Sequence, residues 1–92
     1  MPNLSIIEIQ EKLSGLKDWE MMDEKISKTF EFPGFKEALA FVNKIAEEAE
    51  KQNHHPDILI KYNKVIVNLT THSEGGLTAK DFELAGVIEQ LV

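Results

Sequence analysis

The 92 residues suit a single domain spanning 1–92, and a chain this short buries only about 65% of the surface of its unfolded form, so a partner subunit would help its core. Hydrophobic residues make up 42% and charged ones 28%, no apolar run is long enough for a membrane, and no basic stretch followed by an apolar block opens the chain; it reads as cytoplasmic, with no membrane contact. Zero cysteines exclude disulfides, thiolate catalysis and cysteine-held metals, while a net charge of −6 argues against sequence-independent nucleic-acid binding and for a substrate that is neutral or mixed in charge.

A first helix is expected over residues 4–16, where Ser5 and Glu8 form a Ser-x-x-Glu capping box and Ile6, Ile9, Leu13 and Leu16 recur at steps of three and four. Gly15 is its stop signal. Residues 18–24 and 26–32 lean towards β structure and read as a hairpin turning near residues 23–25. Pro33-Gly34 ends it. A second amphipathic helix runs over residues 35–52, its apolar stripe read as Phe35, Leu39, Val42, Ile45 or Ala46, and Ala49.

His54-His55-Pro56 terminates that helix, because proline disfavours the α conformation in the residue before it. Residues 58–62 and 65–71 alternate as two strands, with Val65, Val67 and Leu69 facing one way and Asn63-Lys64 as the tight connection, asparagine tolerating a positive φ. A loop over residues 73–77 holds Gly75-Gly76, and Thr78 with Asp81 opens a last helix as a Thr-x-x-Asp cap. Phe82, Ala85, Ile88 or Glu89, and Val92 continue that helix, and Leu84, Val87 and Leu91 make its stripe wider than one sheet face requires. The order α-ββ-α-ββ-α implies an α+β fold, an antiparallel four-stranded sheet with three helices on one face.

All three histidines fall around one proline-pinned turn and the loop that follows. Histidine exchanges protons near neutral pH, so this concentration points to acid/base chemistry. Taken singly, His54 and His55 suit a helix C-terminus and His72 suits a strand end. Together they can meet at one rim of the layer. Asp81 is explained by its cap, yet a carboxylate there can also orient an imidazole. Glu50, one turn before His54, reads as solvent-facing, and Tyr62 as core or as a pocket wall. A three-histidine zinc site ranks below acid/base use, because adjacent side chains on an extended backbone point to opposite sides.

The set Glu50, His54-His55-Pro56, Tyr62, His72 and Asp81, with its spacing, resembles the signature of the pterin-4a-carbinolamine dehydratases, and Tyr62-Asn63-Lys64-Val65, Thr71-His72, Gly76-Leu77 and Ile88-Glu89-Gln90 look like family sequence. The resemblance covers most of the chain. It implies four antiparallel strands with three helices on one face, dimers joined sheet edge to sheet edge, and in some members tetramers that pack helices. It implies dehydration of 4a-hydroxytetrahydrobiopterin, the carbinolamine left by aromatic amino acid hydroxylases, to quinonoid dihydrobiopterin, with no metal or organic cofactor. On this likeness His54, His55 and His72 line the pterin pocket, with His54 or His55 as proton donor. Asp81 supports them, Glu50 lies behind His54, and Pro56 fixes the turn.

The chain departs from the resemblance at Ile58, where many members carry tryptophan, and at Lys80, where they carry arginine. The first removes a flat wall and the second a forked donor, which bears on which pterin is bound. Two other readings are a module that binds a transcription factor's dimerisation domain, as some animal relatives do, through Leu84, Val87, Ile88 and Leu91, and a relative acting on another pterin or without activity.

Overall fold

Alternation and helical periodicity each find their counterpart in the computed structural model, which describes residues 3–92. The elements are α1 (Ile6–Ser14), β1 (Glu20–Met22), β2 (Lys25–Glu31), α2 (Phe35–Gln52), β3 (Asp57–Lys61), β4 (Lys64–Leu69), a short 3-10 turn (His72–Glu74) and α3 (Ala79–Gln90). The strands form one antiparallel sheet in the order β1-β2-β4-β3. The expected α-ββ-α-ββ-α order and α+β class are what the structure has.

Register explains which side of the sheet is dry. Ile26 pairs with Leu69 and Phe30 with Val65, while Ile58 and Ile60 of β3 pair with Val67 and Val65. These side chains share one face, and Ile26, Val65, Val67 and Leu69 are wholly buried on it, each contributing about 1.5–3 kcal/mol of burial. Ile9 from α1, Ala38, Phe41 and Ile45 from α2, and Phe82, Leu84, Ala85 and Ile88 from α3 complete a single cluster with that face. Phe30 and Phe41 meet with ring centroids 4.8 Å apart, and Trp19 stands edge-on to Phe30 at 6.1 Å. The opposite face, carrying Met22, Thr29 and Leu59, is exposed.

Four expectations need correction. The first helix is shorter at both ends: Leu4 instead donates its N–H to Leu77, and Ile6 is exposed, leaving Ile9 as the one residue of α1 that is fully buried. The predicted cap does hold, with Ser5 and Glu8 bonded reciprocally; the Ser5 backbone N–H, and then its hydroxyl, keep the Glu8 carboxyl below its ordinary range. Second, α2 turns Ala38, Phe41, Ile45 and Ala49 to the core, whereas Phe35 and Leu39 face out. The helix is apolar on two sides, and spacing alone does not say which one meets the sheet.

Third, the β3-β4 turn bends at Tyr62, whose φ is 51°, not at Asn63. Asn63 is occupied in holding Phe32, accepting its N–H at 2.8 Å and donating Nδ2 to its carbonyl at 3.0 Å. Tyr62 is 69% exposed and so does not belong to the core. Fourth, the wide stripe of α3 is not spare: Leu84 and Ile88 are fully buried, and Val87 and Leu91 are half-buried. The helix packs beside α2 over the same face of the sheet, and Leu84, Ala85 and Ile88 join the shared core.

Candidate active site

The turn after α2 decides where the first histidine goes. Asn53 caps the helix in the left-handed region, at φ 50° and ψ 42°, and the reversal lets the His54 N–H reach back to Ala49 at 3.1 Å. His54 is thereby folded under the helix and left 8% exposed. Next along the chain, His55 is exposed, ahead of half-buried Pro56, and β3 begins at Asp57. The adjacent imidazoles diverge and find different partners.

His54 Nε2 lies 2.6 Å from Oδ1 of the wholly buried Asp81. The second oxygen, Oδ2, accepts the Thr78 N–H at 2.9 Å and the Thr71 hydroxyl at 2.9 Å. Asp81 therefore closes the α3 capping box and holds a histidine at once, one oxygen for each duty. A carboxylate that accepts on Oδ2 from two donors is placed to accept on Oδ1 as well, so His54 presents Nε2–H to it. Every fully buried side-chain nitrogen and oxygen among the described residues has a hydrogen-bond partner, and His54 Nδ1 makes no hydrogen bond, so Nδ1 is at the exposed sliver of the ring. The arrangement offers a buried, oriented imidazole with one nitrogen open for proton exchange.

His55 Nε2 lies 2.5 Å from Glu50 Oε2, with 56% and 76% of the two side chains exposed. Glu50 thus bonds His55 and not His54. His72 opens the 3-10 turn and borders a hollow of about 180 Å³ with Glu24, Lys25, Thr70 and Gly75; neither His54 nor His55 lines it. A neighbouring apolar cleft, walled by Ile6, Ile9, Met21 and Leu77, meets the hollow at Glu24 and Gly75. What ties His72 to the buried pair is the backbone, since Thr71 immediately before it is the residue whose hydroxyl binds Asp81. Of the two substituted positions, Ile58 packs half-buried against the core and Lys80 is exposed.

Thr71 is the participant missed in the sequence. Its signal was there: Val65, Val67, Leu69 and Thr71 share one parity, so the buried row of β4 ends on a hydroxyl. Beyond the strand it is kept in line by an isolated bridge to Gly76, with its N–H 3.1 Å from the Gly76 carbonyl.

Comparison with known proteins gives the family and the fold. The family described as Pterin 4 alpha carbinolamine dehydratase matches residues 2–91. A protein of Picosynechococcus sp., provisionally named pterin-4-alpha-carbinolamine dehydratase, is 57% identical over 88 residues, 96% of either chain. One of Sulfurisphaera tokodaii with the same provisional name is 50% identical over 92 residues, covering 100% of this chain and 99% of its own. Among solved structures, a transcriptional coactivator/pterin dehydratase from Brucella melitensis superposes with a TM-score of 0.93 at 37% identity, over 97% of both chains. A pterin dehydratase-like RuBisCO assembly factor of the alpha-carboxysome, 20% identical with a TM-score of 0.66 over 79% of this chain and 84% of its own, shares the fold. With the family model, the curated relatives and the fold in agreement along its length, this chain belongs to the pterin-4a-carbinolamine dehydratase family.

Proposed function

We propose that the chain is a hydro-lyase that dehydrates 4a-hydroxytetrahydrobiopterin to quinonoid dihydrobiopterin, in the recycling of tetrahydrobiopterin. The observation that carries this reading is the buried His54–Asp81 pair with Nδ1 turned to the exposed side of the ring. In the reaction the C4a–O bond breaks and the hydroxyl leaves as water, taking a proton. N5 gives up its proton, and its electron pair becomes the second bond between C4a and N5. One acid and one base suffice, and the proton account closes without a redox partner.

His54 suits the acid. The Asp81 carboxylate stabilises its imidazolium, and the Nε2 contact fixes the ring so that Nδ1–H is the proton delivered to the departing hydroxyl. His55, held by Glu50, and His72 supply the remaining imidazoles, one of them taking the N5 proton, while Pro56 sets the angle of the turn. The test is an assay with freshly generated 4a-hydroxytetrahydropterin beside the variant carrying both His54→Ala and His72→Ala. Turnover should drop by about 10² to 10⁴, the usual worth of positioned acid/base groups, with the far-ultraviolet dichroism of the wild type. Undiminished dehydration by the folded double variant refutes the assignment.

The protein acts as a homodimer in this reading, with tetramers as a further step. β3 is an edge strand with Leu59 49% exposed at its centre. Antiparallel pairing of two copies about Leu59 sets Asp57 of one opposite Lys61 of the other, a self-complementary edge. The outward pair Phe35 and Leu39 on α2 offers a helical seam for the second association. Leu59→Lys, which sets two like charges opposite one another at the centre of that pairing, should halve the mass measured by light scattering; an unchanged mass rejects β3 as the contact.

A further inference from the structure

We infer that Thr71 is a positioning residue for this reaction: its buried hydroxyl fixes the Asp81 carboxylate and, through it, the tautomer of His54. The inference rests on the reading of His54 as the acid. It begins with a count of protons. The Thr78 backbone N–H has no choice but to donate, so Asp81 Oδ2 is an acceptor there. Thr71 Oγ1 is 2.9 Å from the same oxygen and 2.8 Å from Thr78 Oγ1, and its single proton goes to the carboxylate, the stronger acceptor. The Thr78 hydroxyl then donates to Thr71, while accepting the Lys80 N–H at 3.3 Å. All protons in the chain point towards Asp81. The carboxylate is left to accept from His54 Nε2–H, and Nδ1 is the nitrogen that works.

Thr71 is 5% exposed, and its neighbours in this chain are polar atoms, so the hydroxyl carries a duty that a methyl group would not. Without that proton Oδ2 keeps the Thr78 N–H alone. The carboxylate is then less well held, the imidazolium it faces is less stabilised, and a neutral His54 is freer to carry its proton on Nδ1. Position matters as well. Thr71 is covalently next to His72, so one residue sets the height of both histidines above the sheet end.

Thr71→Val replaces the hydroxyl by a methyl of nearly equal volume, whereas Thr71→Ser keeps the hydroxyl and deletes the methyl. The expected result is a fall in kcat of roughly 10- to 100-fold for the valine variant with KM nearly unchanged, the alkaline limb of its pH–rate profile moved to lower pH, and kcat restored by serine to within about threefold. A valine variant with wild-type kcat and profile, or a serine variant as slow as valine, overturns the inference, the second because packing would then explain the loss. Nitrogen-15 NMR of the histidine rings reads the same point without substrate. Wild type and serine variant should both show His54 protonated at Nε2 when neutral; an Nδ1–H tautomer in the wild type overturns the inference even if valine does not fold. Should the wild type fail to dehydrate the pterin, the functional reading falls, yet the tautomer still decides the role of Thr71.

Discussion

Two neighbouring histidines each hold a carboxylate in this molecule, and almost everything else about the two pairs differs. His54 reaches Asp81, 27 residues away, and both are buried; His55 reaches Glu50, five residues back, and both are mostly exposed. The chemistry of the contact is the same. Its consequences are not, because a polar pair removed from water has no solvent to replace a lost partner, while an exposed pair is screened and rehydrated at once. One pair joins the end of α2 to the start of α3 and so belongs to the fold as much as to the site. The other decorates the surface of a helix end.

The largest effect is expected where that contrast is broken from the buried side. In Asp81→Asn the side-chain oxygen can still serve Thr78 and Thr71, but the amide then offers protons to His54, which must turn Nε2 into an acceptor and carry its proton on Nδ1. The comparable exchange in a serine protease triad costs about 10⁴ in kcat through the wrong tautomer. A loss of at least about 100-fold in turnover is expected here, together with a stability loss of about 1–3 kcal/mol in urea unfolding. Wild-type turnover by this variant would show that the tautomer is immaterial.

Next comes the direct comparison of the two imidazoles. His54→Ala leaves a buried carboxylate facing an empty space and should cost about 3 kcal/mol, whereas His55→Ala should change stability by less than about 0.5 kcal/mol. Thermal unfolding of the two variants measures it, and equal shifts in Tm would erase the distinction between the pairs.

The same contrast marks how far the sequence could be read. Local signals were sound: the Ser5–Glu8 and Thr78–Asp81 boxes, the alternation of Val65, Val67 and Leu69, and the breaks at Pro33-Gly34 and Pro56 all depend on residues a few positions apart. Glu50 and His55 are likewise within one another's reach on a helix end, yet their pairing went unread because the turn at Asn53 decides which histidine faces back. The His54–Asp81 contact requires the packing of α2 on α3, and the sequence offered Asp81 only as a partner for some histidine. Phe35 and Leu39 of α2 were read as core, and the stripe of α3 as wider than needed, for a related reason. Both helices are apolar over more than one side, and only the sheet, by lying against one of them, settles which residues are core.

The smallest effect belongs to the exposed pair, and salt separates it from the buried one. Glu50→Gln removes one charge but keeps a side chain of the same length and an oxygen that still accepts from His55. Stability should move by less than about 0.5 kcal/mol and turnover by only a fewfold. In 1 M salt, where the screening length is about 3 Å, the difference between Glu50→Gln and wild type should vanish, while the defect of Asp81→Asn persists because ions do not enter its site. Turnover measured at low and high salt for both variants makes the check. If the Glu50→Gln defect were as large as that of Asp81→Asn and equally indifferent to salt, His55 would have to be the histidine that donates the proton, and the roles assigned to the neighbours would exchange.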